Sequence, residues 1–161
     1  MKKVMFLLAT LLICGMMFTG CKKDNTPGSD PASKTFKVSY ALGNKTTAAL
    51  GIELVTSDCF KFDVTYTGAN GEPVEVKGVT LPWTSPELTV TLPFTAKIEC
   101  QTSYNEADLP EAVVFGRVYS LLVNGKEFHH AAYVVPFLKE DFIQFVSDDP
   151  NVLKFSYSTE I

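Results

Sequence analysis

The chain has two histidines, His129 and His130, whose imidazoles could act as general bases or bind a metal ion. They are adjacent, and neighbouring side chains on an extended strand point to opposite faces of a sheet. The two rings therefore cannot bind one metal ion or serve one catalytic centre together. The strand pairing described below predicts that His130 is partly buried near Tyr119 and that His129 faces solvent.

The sequence lacks the short motifs that position other catalytic groups. It contains no Gly-x-Ser-x-Gly elbow, glycine-rich phosphate loop, HExxH or CxxC. A Ser-His-Asp arrangement assembles in space, so a hydrolase that uses His129 or His130 with a carboxylate and a nucleophile is kept as an alternative. We expect a protein that is not an enzyme, with no catalytic residues, no metal and no cofactor.

Two acidic segments carry oxygen ligands of the kind that calcium prefers, residues 139–141 (KED) and 148–151 (DDPN). Neither has the regular spacing of a calcium-binding loop. We interpret both as solvated turn residues.

Trp83 is the candidate ligand-binding residue, because it lies between Pro82 and Pro86 in a rigid corner outside the strand pattern. An exposed indole there would offer a platform for a sugar ring or a protein partner. The alternative is a tryptophan that plugs one end of the fold.

Cys21 follows a segment with the three parts of a secretory signal. A basic start (KK), an almost uninterrupted apolar run over residues 4–18 and two small residues (TG) precede it. The apolar run is shorter than the roughly 20 residues of a spanning helix. The ending Phe-Thr-Gly-Cys resembles the lipobox of bacterial lipoproteins, with Phe18 where leucine is usual. This resemblance implies that residues 1–20 are a cleaved signal peptide and that Cys21 is acylated.

The residues after Cys21 are rich in Pro, Gly, Ser, Asp and Lys and have no apolar pattern, so residues 21–34 are interpreted as the lipidated cysteine and a flexible tether. Acyl chains on Cys21 would hold the protein to a lipid bilayer without a spanning segment. Residues 35–161 then form one domain.

The composition excludes disorder and a nucleic-acid partner. The chain is 46% apolar and 12% aromatic, and the loss of Lys2 and Lys3 with the signal leaves 12 basic and 18 acidic residues, a net charge of −6. Such a surface repels nucleic acid.

The folded domain keeps two cysteines, Cys59 and Cys100, which could form a disulfide in an oxidising compartment. The alternation of apolar residues places Cys59 on the polar face of one strand and Cys100 on the apolar face of another. The two thiols would then point to opposite sides of their sheets. This argues against a disulfide across one core, unless a bulge shifts the alternation in one of the strands.

Period-two patterns separated by Gly, Pro, Asn and Asp dominate the domain, and no amphipathic helix of ordinary length stands out. Even FIQFV, residues 142–146, is interpreted as a strand. The predicted fold is all-β, an antiparallel Ig-like β-sandwich of about 8–10 short strands.

The dipeptide Asn124-Gly125 predicts a two-residue hairpin turn. That turn would pair Val123 with Lys126, Leu121 with Phe128 and Tyr119 with His130. The residues that would then share the core face are Val113, Phe115, Tyr119, Leu121, Phe128, Ala132 and Val134.

The segment GANGEP predicts a second hairpin, with Val74 and Val76 opposite Tyr66 and Val64. That register needs an odd loop, such as residues 69–71 with Gly71 left-handed in a bulge.

The succession FKVSYALG, FDVTYTGANGEPVEVKGVTLPW, FTAKIECQ and GRVYSLLVNGKEF resembles the MmpS-like domain, an extracytoplasmic Ig-like β-sandwich. The resemblance covers about residues 36–128 and implies a non-enzymatic accessory to a membrane complex. The chain departs from that family in its lipobox, in apparent insertions at TTAALGIEL and NEADLPEAV, and in extra strands after Tyr133.

Together these features predict a lipoprotein of the bacterial cell envelope, anchored at the periplasmic face of the outer membrane or at the cell surface. We expect it to act as a binding or accessory module whose partner is an unknown protein or envelope complex. The alternatives are a carbohydrate or small-ligand binding protein and the hydrolase.

Overall fold

The computed structural model describes residues 34–47 and 51–161. The expected signal peptide, the lipidation site Cys21 and nearly all of the tether lie outside the described residues. The eleven strands of the described part are β1 (Thr35–Gly43), β2 (Lys45–Thr47), β3 (Glu53–Val55), β4 (Phe60–Thr67), β5 (Pro73–Val79), β6 (Trp83–Thr84), β7 (Leu88–Thr91), β8 (Thr95–Tyr104), β9 (Ala112–Val123), β10 (Lys126–Leu138) and β11 (Lys154–Glu160). They are accompanied by one α-helix, α1 (Lys139–Asp148), and by short 3₁₀ helices at Glu106–Asp108 and Pro150–Leu153.

The strands form two antiparallel sheets that pack face to face. In the first sheet the order is β10-β9-β1, and the other side of β1 pairs with β7 along its first half and with β6 along its second. The second sheet has the order β11-β8-β4-β5, and β2 and β3 form a separate small hairpin. The prediction of an all-β antiparallel sandwich is confirmed.

The core lies between the two sheets because the apolar residues of each central strand alternate toward it. Tyr40 of β1 packs on Tyr66 of β4, with ring centroids 5.1 Å apart, and Phe60 of β4 meets Phe115 of β9 at 5.3 Å. These four side chains are at most 4% exposed. Complete burial of one such side chain contributes about 1.5–3 kcal/mol.

The register predicted for the GANGEP hairpin is confirmed. Tyr66 lies opposite Val74 and Val64 lies opposite Val76. The loop has three residues, because the amide of Gly68 donates to the carbonyl of Glu72 at 2.7 Å, and Gly71 within it has a φ of +84°. Such a left-handed residue is what this kind of loop requires.

The hairpin at Asn124-Gly125 was only partly predicted. Both turn residues have positive φ and Val123 pairs with Lys126, as expected. A bulge between Glu127 and His129 then shifts the register, so that Leu121 pairs with His129. Similarly, Tyr119 pairs with Ala131, and the predicted partner His130 lies opposite Ser120.

The predicted core face is confirmed for β9, but it is wrong for β10, because the bulge lies in β10. The four β9 residues of that face are buried, whereas Phe128 and Ala132 are exposed. One extra residue in a strand reverses the direction of every side chain beyond it. The predicted positions of the two histidines are therefore also wrong, since His129 is the half-buried ring and His130 is exposed.

The strand predicted at residues 142–146 is wrong, since this segment belongs to α1. Phe142 and Val146 are four residues apart, so they share one face of the helix, and both are buried. Phe142 contacts Phe60 and Phe115 at ring-centroid distances of 5.5 and 5.3 Å. Helix α1 therefore closes one end of the sandwich, between β10 and β11.

Cys59 and Cys100 are free thiols, as the phase argument favoured. Cys100 lies opposite Val64 on the neighbouring strand β4. Cys59 comes five residues before Val64, which is about 17 Å along an extended chain. A disulfide requires Cα atoms within about 7 Å.

Candidate functional site

Strand β10 forms one edge of the first sheet, and it is the longest strand described, with 13 residues. In the described part of the chain, no strand pairs with its outer side. The segment FHHAAYVVPFL, residues 128–138, contains no lysine, arginine, aspartate or glutamate. Natural proteins usually protect a long edge strand with charges, because its free backbone groups offer a template for another strand. We call residues 128–138 the β10 edge.

The β10 edge displays three large apolar side chains to solvent. Phe128 is 53% exposed, Tyr133 is 45% exposed and Leu138 is 67% exposed. Two protective features are present. Pro136 lacks a backbone donor, and the bulge at Phe128 interrupts the regular pairing with β9.

Gly116 of β9 fixes the close approach of β10. It lies opposite Val134 with a φ of +148°, and a Cβ atom there would be 1.9 Å from the carbonyl oxygen of Tyr133. On the other side of β9, the hydroxyl of Thr56 donates to the carbonyl of Gly116 at 3.0 Å. The exposed edge is thus supported by a tightly packed neighbour strand.

His130 lies beside a hydroxyl and a carboxylate, which the hydrolase alternative required. Its Nδ1 is 3.2 Å from the Ser120 hydroxyl and 3.3 Å from Glu127 Oε2, and that hydroxyl also donates to Glu127 at 3.0 Å. In a catalytic triad, however, the two ring nitrogens divide these contacts, one facing the nucleophile and the other the carboxylate. Here one nitrogen contacts both groups on an exposed surface, so the cluster lacks the geometry of a proton relay.

His129 points toward the gap between the edges of the two sheets. Its ring stacks on Tyr157 of β11, and Tyr157 in turn packs on Tyr119, with ring centroids 5.1 Å apart. Burial raises the pKa of the Tyr119 phenol, whose hydroxyl has no hydrogen-bond partner in the described part of the chain. Tyr119, His129 and Tyr157 thus form one aromatic cluster, in which each ring contacts the other two.

Arg117 is a buried cation in the core, 5% exposed. Its guanidinium donates to the Thr102 hydroxyl at 3.2 Å and to the Lys154 carbonyl at 3.0 Å, and it lies 5.1 Å from the centre of the Phe155 ring. No carboxylate of the described residues pairs with it. Burial lowers the pKa of Arg117. Two neutral hydrogen-bond acceptors and the face of the Phe155 ring interact with the guanidinium in place of the usual carboxylate.

The outer face of the second sheet carries a shallow depression of about 370 Å³. Its polar lining comes from cross-strand rows of outward-facing residues, in which Gln101 lies opposite both Asp63 and Lys154, and Glu99 opposite both Thr65 and Ser156. The one aromatic residue of its lining, Phe155, packs its ring against Tyr119 and the Arg117 guanidinium. We interpret the depression as the solvated face of the sandwich.

Trp83 is half-buried and packs against the core. It pairs with Leu42 at the sheet edge, and its ring lies 5.9 Å from that of Tyr66. This position is the one expected of a tryptophan that closes one end of the fold. Ligand binding by Trp83 stays a prediction.

Of the two acidic segments, residues 148–151 make local hydrogen bonds, whereas residues 139–141, interpreted above as turn residues, form the first turn of helix α1. Asp149 accepts from the amide of Asn151 at 3.0 Å and thereby caps the second 3₁₀ helix, while Asp148 accepts from Gln144 at 2.6 Å. Among residues 34–47 and 51–161 no three histidine, cysteine or carboxylate side chains converge on a possible metal position.

Comparisons with models of protein families and with curated proteins found no match to this chain. In the same described residues, no helix is both long enough and apolar enough to cross a bilayer.

Proposed function

We propose that this chain is a lipid-anchored protein of the bacterial envelope that works outside the cytoplasm as a non-enzymatic binding or accessory module. The observation that carries the proposal is the β10 edge, which offers free backbone groups beside exposed Phe128, Tyr133 and Leu138. Extended segments bind such edges by adding a strand, with backbone hydrogen bonds for affinity and side-chain contacts for specificity.

The anchoring part of the proposal is supported by the sequence around Cys21. A lipobox-like ending and a polar tether would place the domain at the periplasmic face of the outer membrane or at the cell surface. The resemblance of the chain to MmpS-like domains supports an accessory role in an envelope complex.

The non-enzymatic part is supported by the geometry at His130. Ser120 and Glu127 both contact the same ring nitrogen, which leaves no separate base and orienting carboxylate.

Site-specific photo-crosslinking in the native membrane tests the binding role. A photoreactive phenylalanine analogue at Leu138 should form a covalent adduct with a protein. The matched control is the same analogue at Val74, which is 36% exposed on β5, the edge strand of the second sheet. Equal adduct yields from the two positions would contradict a binding role for the β10 edge.

A further inference from the structure

The proposed function leaves the partner of the β10 edge open, and the inference here rests on that function. We propose that the partner presents an extended protein segment in which an uncharged apolar stretch adjoins lysine or arginine residues. The stretch would add to the first sheet along β10. The basic residues would lie at the end of the β10 edge from which α1 begins.

Acidic side chains gather around Leu138, the last residue of the β10 edge. A depression of about 520 Å³ is lined there by Leu138, by Lys139 and by four carboxylates, which we call the acidic rim. The acidic rim consists of Glu106, Glu111, Glu140 and Asp141. Four negative charges against the one positive charge of Lys139 leave the lining with a formal charge of −3.

The carboxylates of the acidic rim are available to a partner. All four residues are exposed, and none of them forms an ion pair with another described residue. Glu140 and Asp141 lie in the first turn of α1, where the helix dipole favours acidic side chains. Glu106 and Glu111 lie outside that helix, so the dipole does not account for them. A cation in the depression would face both pairs of carboxylates.

The acidic rim is continuous with the free edge of β10. The amide of Lys139 donates to the Glu111 carbonyl at 3.0 Å, so the ladder between β9 and β10 extends to the rim itself. An added strand that pairs with β10 up to Leu138 would therefore end beside the four carboxylates. The opposite end of the β10 edge is balanced, because Lys126 and Glu127 carry opposite charges. This difference in charge assigns the basic residues of the segment to the α1 end.

The exposed side chains of the β10 edge indicate what the uncharged stretch carries. Tyr133 lies on the core side of the sheet, where its ring contacts that of buried Phe115 at a centroid distance of 6.1 Å. Leu138 is an odd number of residues further along the regular part of β10, so it lies on the outer face. An added strand would thus meet an exposed apolar side chain on each of its faces. A stretch that is apolar on both faces fits this surface, whereas one that alternates apolar and charged residues does not.

Peptide binding to the full chain, purified from its membranes, tests the charge requirement. Fluorescent peptides carry a strand-forming stretch of valine, threonine and tyrosine with a run of lysines either before it or after it. In the matched peptides, glutamates replace the lysines. At low ionic strength the chain should bind one of the lysine peptides about tenfold more tightly than its glutamate counterpart. Equal binding of lysine and glutamate peptides in both orders, or no binding at all, would overturn the proposal.

Charge reversal in the acidic rim locates the contact. Glu111→Lys combined with Glu140→Lys changes two exposed side chains, so the fold should persist, which thermal unfolding checks. This variant should lose the preference for lysine peptides and bind the glutamate peptides more tightly. The control is Glu72→Lys with Glu75→Lys, which makes the same change in net charge at β5, the edge strand of the second sheet. An unchanged preference in the rim variant, or an equal change in the control, would show that the rim is not the contact.

Photo-crosslinking in the native membrane separates this inference from the proposed function. With the photoreactive analogue at Leu138, the double change Glu111→Gln and Glu140→Gln should lower the yield of the protein adduct about fivefold. The control pair Glu72→Gln and Glu75→Gln should leave the yield unchanged. An adduct whose yield ignores the change in the rim would support the proposed function while overturning the basic segment as partner. An adduct with the mass of two copies of this chain would identify a second copy as the occupant and overturn the proposal as well.

Discussion

The imidazole of His129 stacks on the phenol ring of Tyr157, with ring centroids 4.1 Å apart and ring planes 13° apart. This contact joins β10 of one sheet to β11 of the other at the open side of the sandwich. It exists because the bulge at Phe128 turns His129 inward, opposite Leu121.

Deletion of Phe128 should therefore be tolerated. Glu127 would still pair with Leu122, and His129 with Leu121, so the hairpin becomes regular and every later side chain keeps its direction. We expect the free energy of unfolding to change by about 1 kcal/mol or less, measured by urea denaturation. The control is deletion of Ala132, which reverses the side chains from Tyr133 onward, Phe137 included, and should prevent folding. Equal effects of the two deletions would refute this assignment of the bulge.

Sequence patterns predicted local registers and missed what distant contacts decide. The GANGEP loop follows from Gly71 and from the valines beside it, so its register was predictable. The phase of β10 was not, because it is set at its far end, where Phe137 stacks on Phe145 of α1 at 5.0 Å. The pattern FIQFV fits a strand as well as a helix until Phe142 has a core to enter.

The candidate site was likewise predictable in its local sequence features and not in those that depend on distant contacts. The absence of charge in residues 128–138 is visible in the sequence and could have marked an unusual strand. Its position at a sheet edge depends on the strand order β10-β9-β1, which joins residues about 80 apart in the chain. No local pattern reports such an order.

Substitution Gly116→Ala should disrupt the first sheet. The new Cβ atom would lie 1.9 Å from the Tyr133 carbonyl oxygen and 2.6 Å from the Val134 Cα atom, so β10 must move or detach. We expect a loss of about 3 kcal/mol or more in the free energy of unfolding. Gly71→Ala is the control. Its φ is also positive, but no atom lies within 4 Å, so backbone strain of about 1 kcal/mol is expected. Similar losses at the two glycines would show that steric contact is unimportant.

Substitutions at Asn124 should separate backbone conformation from hydrogen bonding. Asn124 has a φ of +51°, and its Oδ1 accepts from the Lys37 amide at 3.0 Å, which ties the turn to β1. Asn124→Ala loses both advantages and should cost about 2 kcal/mol, whereas Asn124→Gly loses only the acceptor and should cost about 1 kcal/mol. Asn124→Asp keeps an acceptor and should cost least. Thermal unfolding of the three variants provides the ranking, and a reversed order of Ala and Gly would contradict it.

Stability at alkaline pH should fall because of Cys100. Burial raises the pKa of its thiol from 9.0 to about 11, so between these values the unfolded chain loses the proton first. The contribution of the Cys100 thiol to the free energy of unfolding is therefore fully present below about pH 9. It is lost as the pH rises toward 11, and the loss is about 3 kcal/mol at most. Urea denaturation from pH 8 to 10.5 should show a shallower decline for Cys100→Ala. The matched variant Cys59→Ala should change the slope less, since that thiol is only partly buried. Parallel slopes for Cys100→Ala and the unaltered chain would argue against this assignment.

The lipid anchor predicts a defined mass for the mature protein. Intact-mass analysis of the chain purified from membranes should show a start at Cys21 with added acyl groups, and Cys21→Ser should lack them. Lys22→Ser, a neighbouring change that spares the thiol, is the control and should leave the acyl mass in place. An unacylated chain, or one that keeps residues 1–20, would refute the anchor.

Strands β1 and β10 run in the same direction, because each is antiparallel to β9. Lys34, where the tether joins the domain, therefore lies at the end of the first sheet that carries the Asn124-Gly125 turn, and α1 follows β10 at the opposite end. A domain held to a bilayer through a short tether at Lys34 would point the α1 end of the β10 edge away from the lipid.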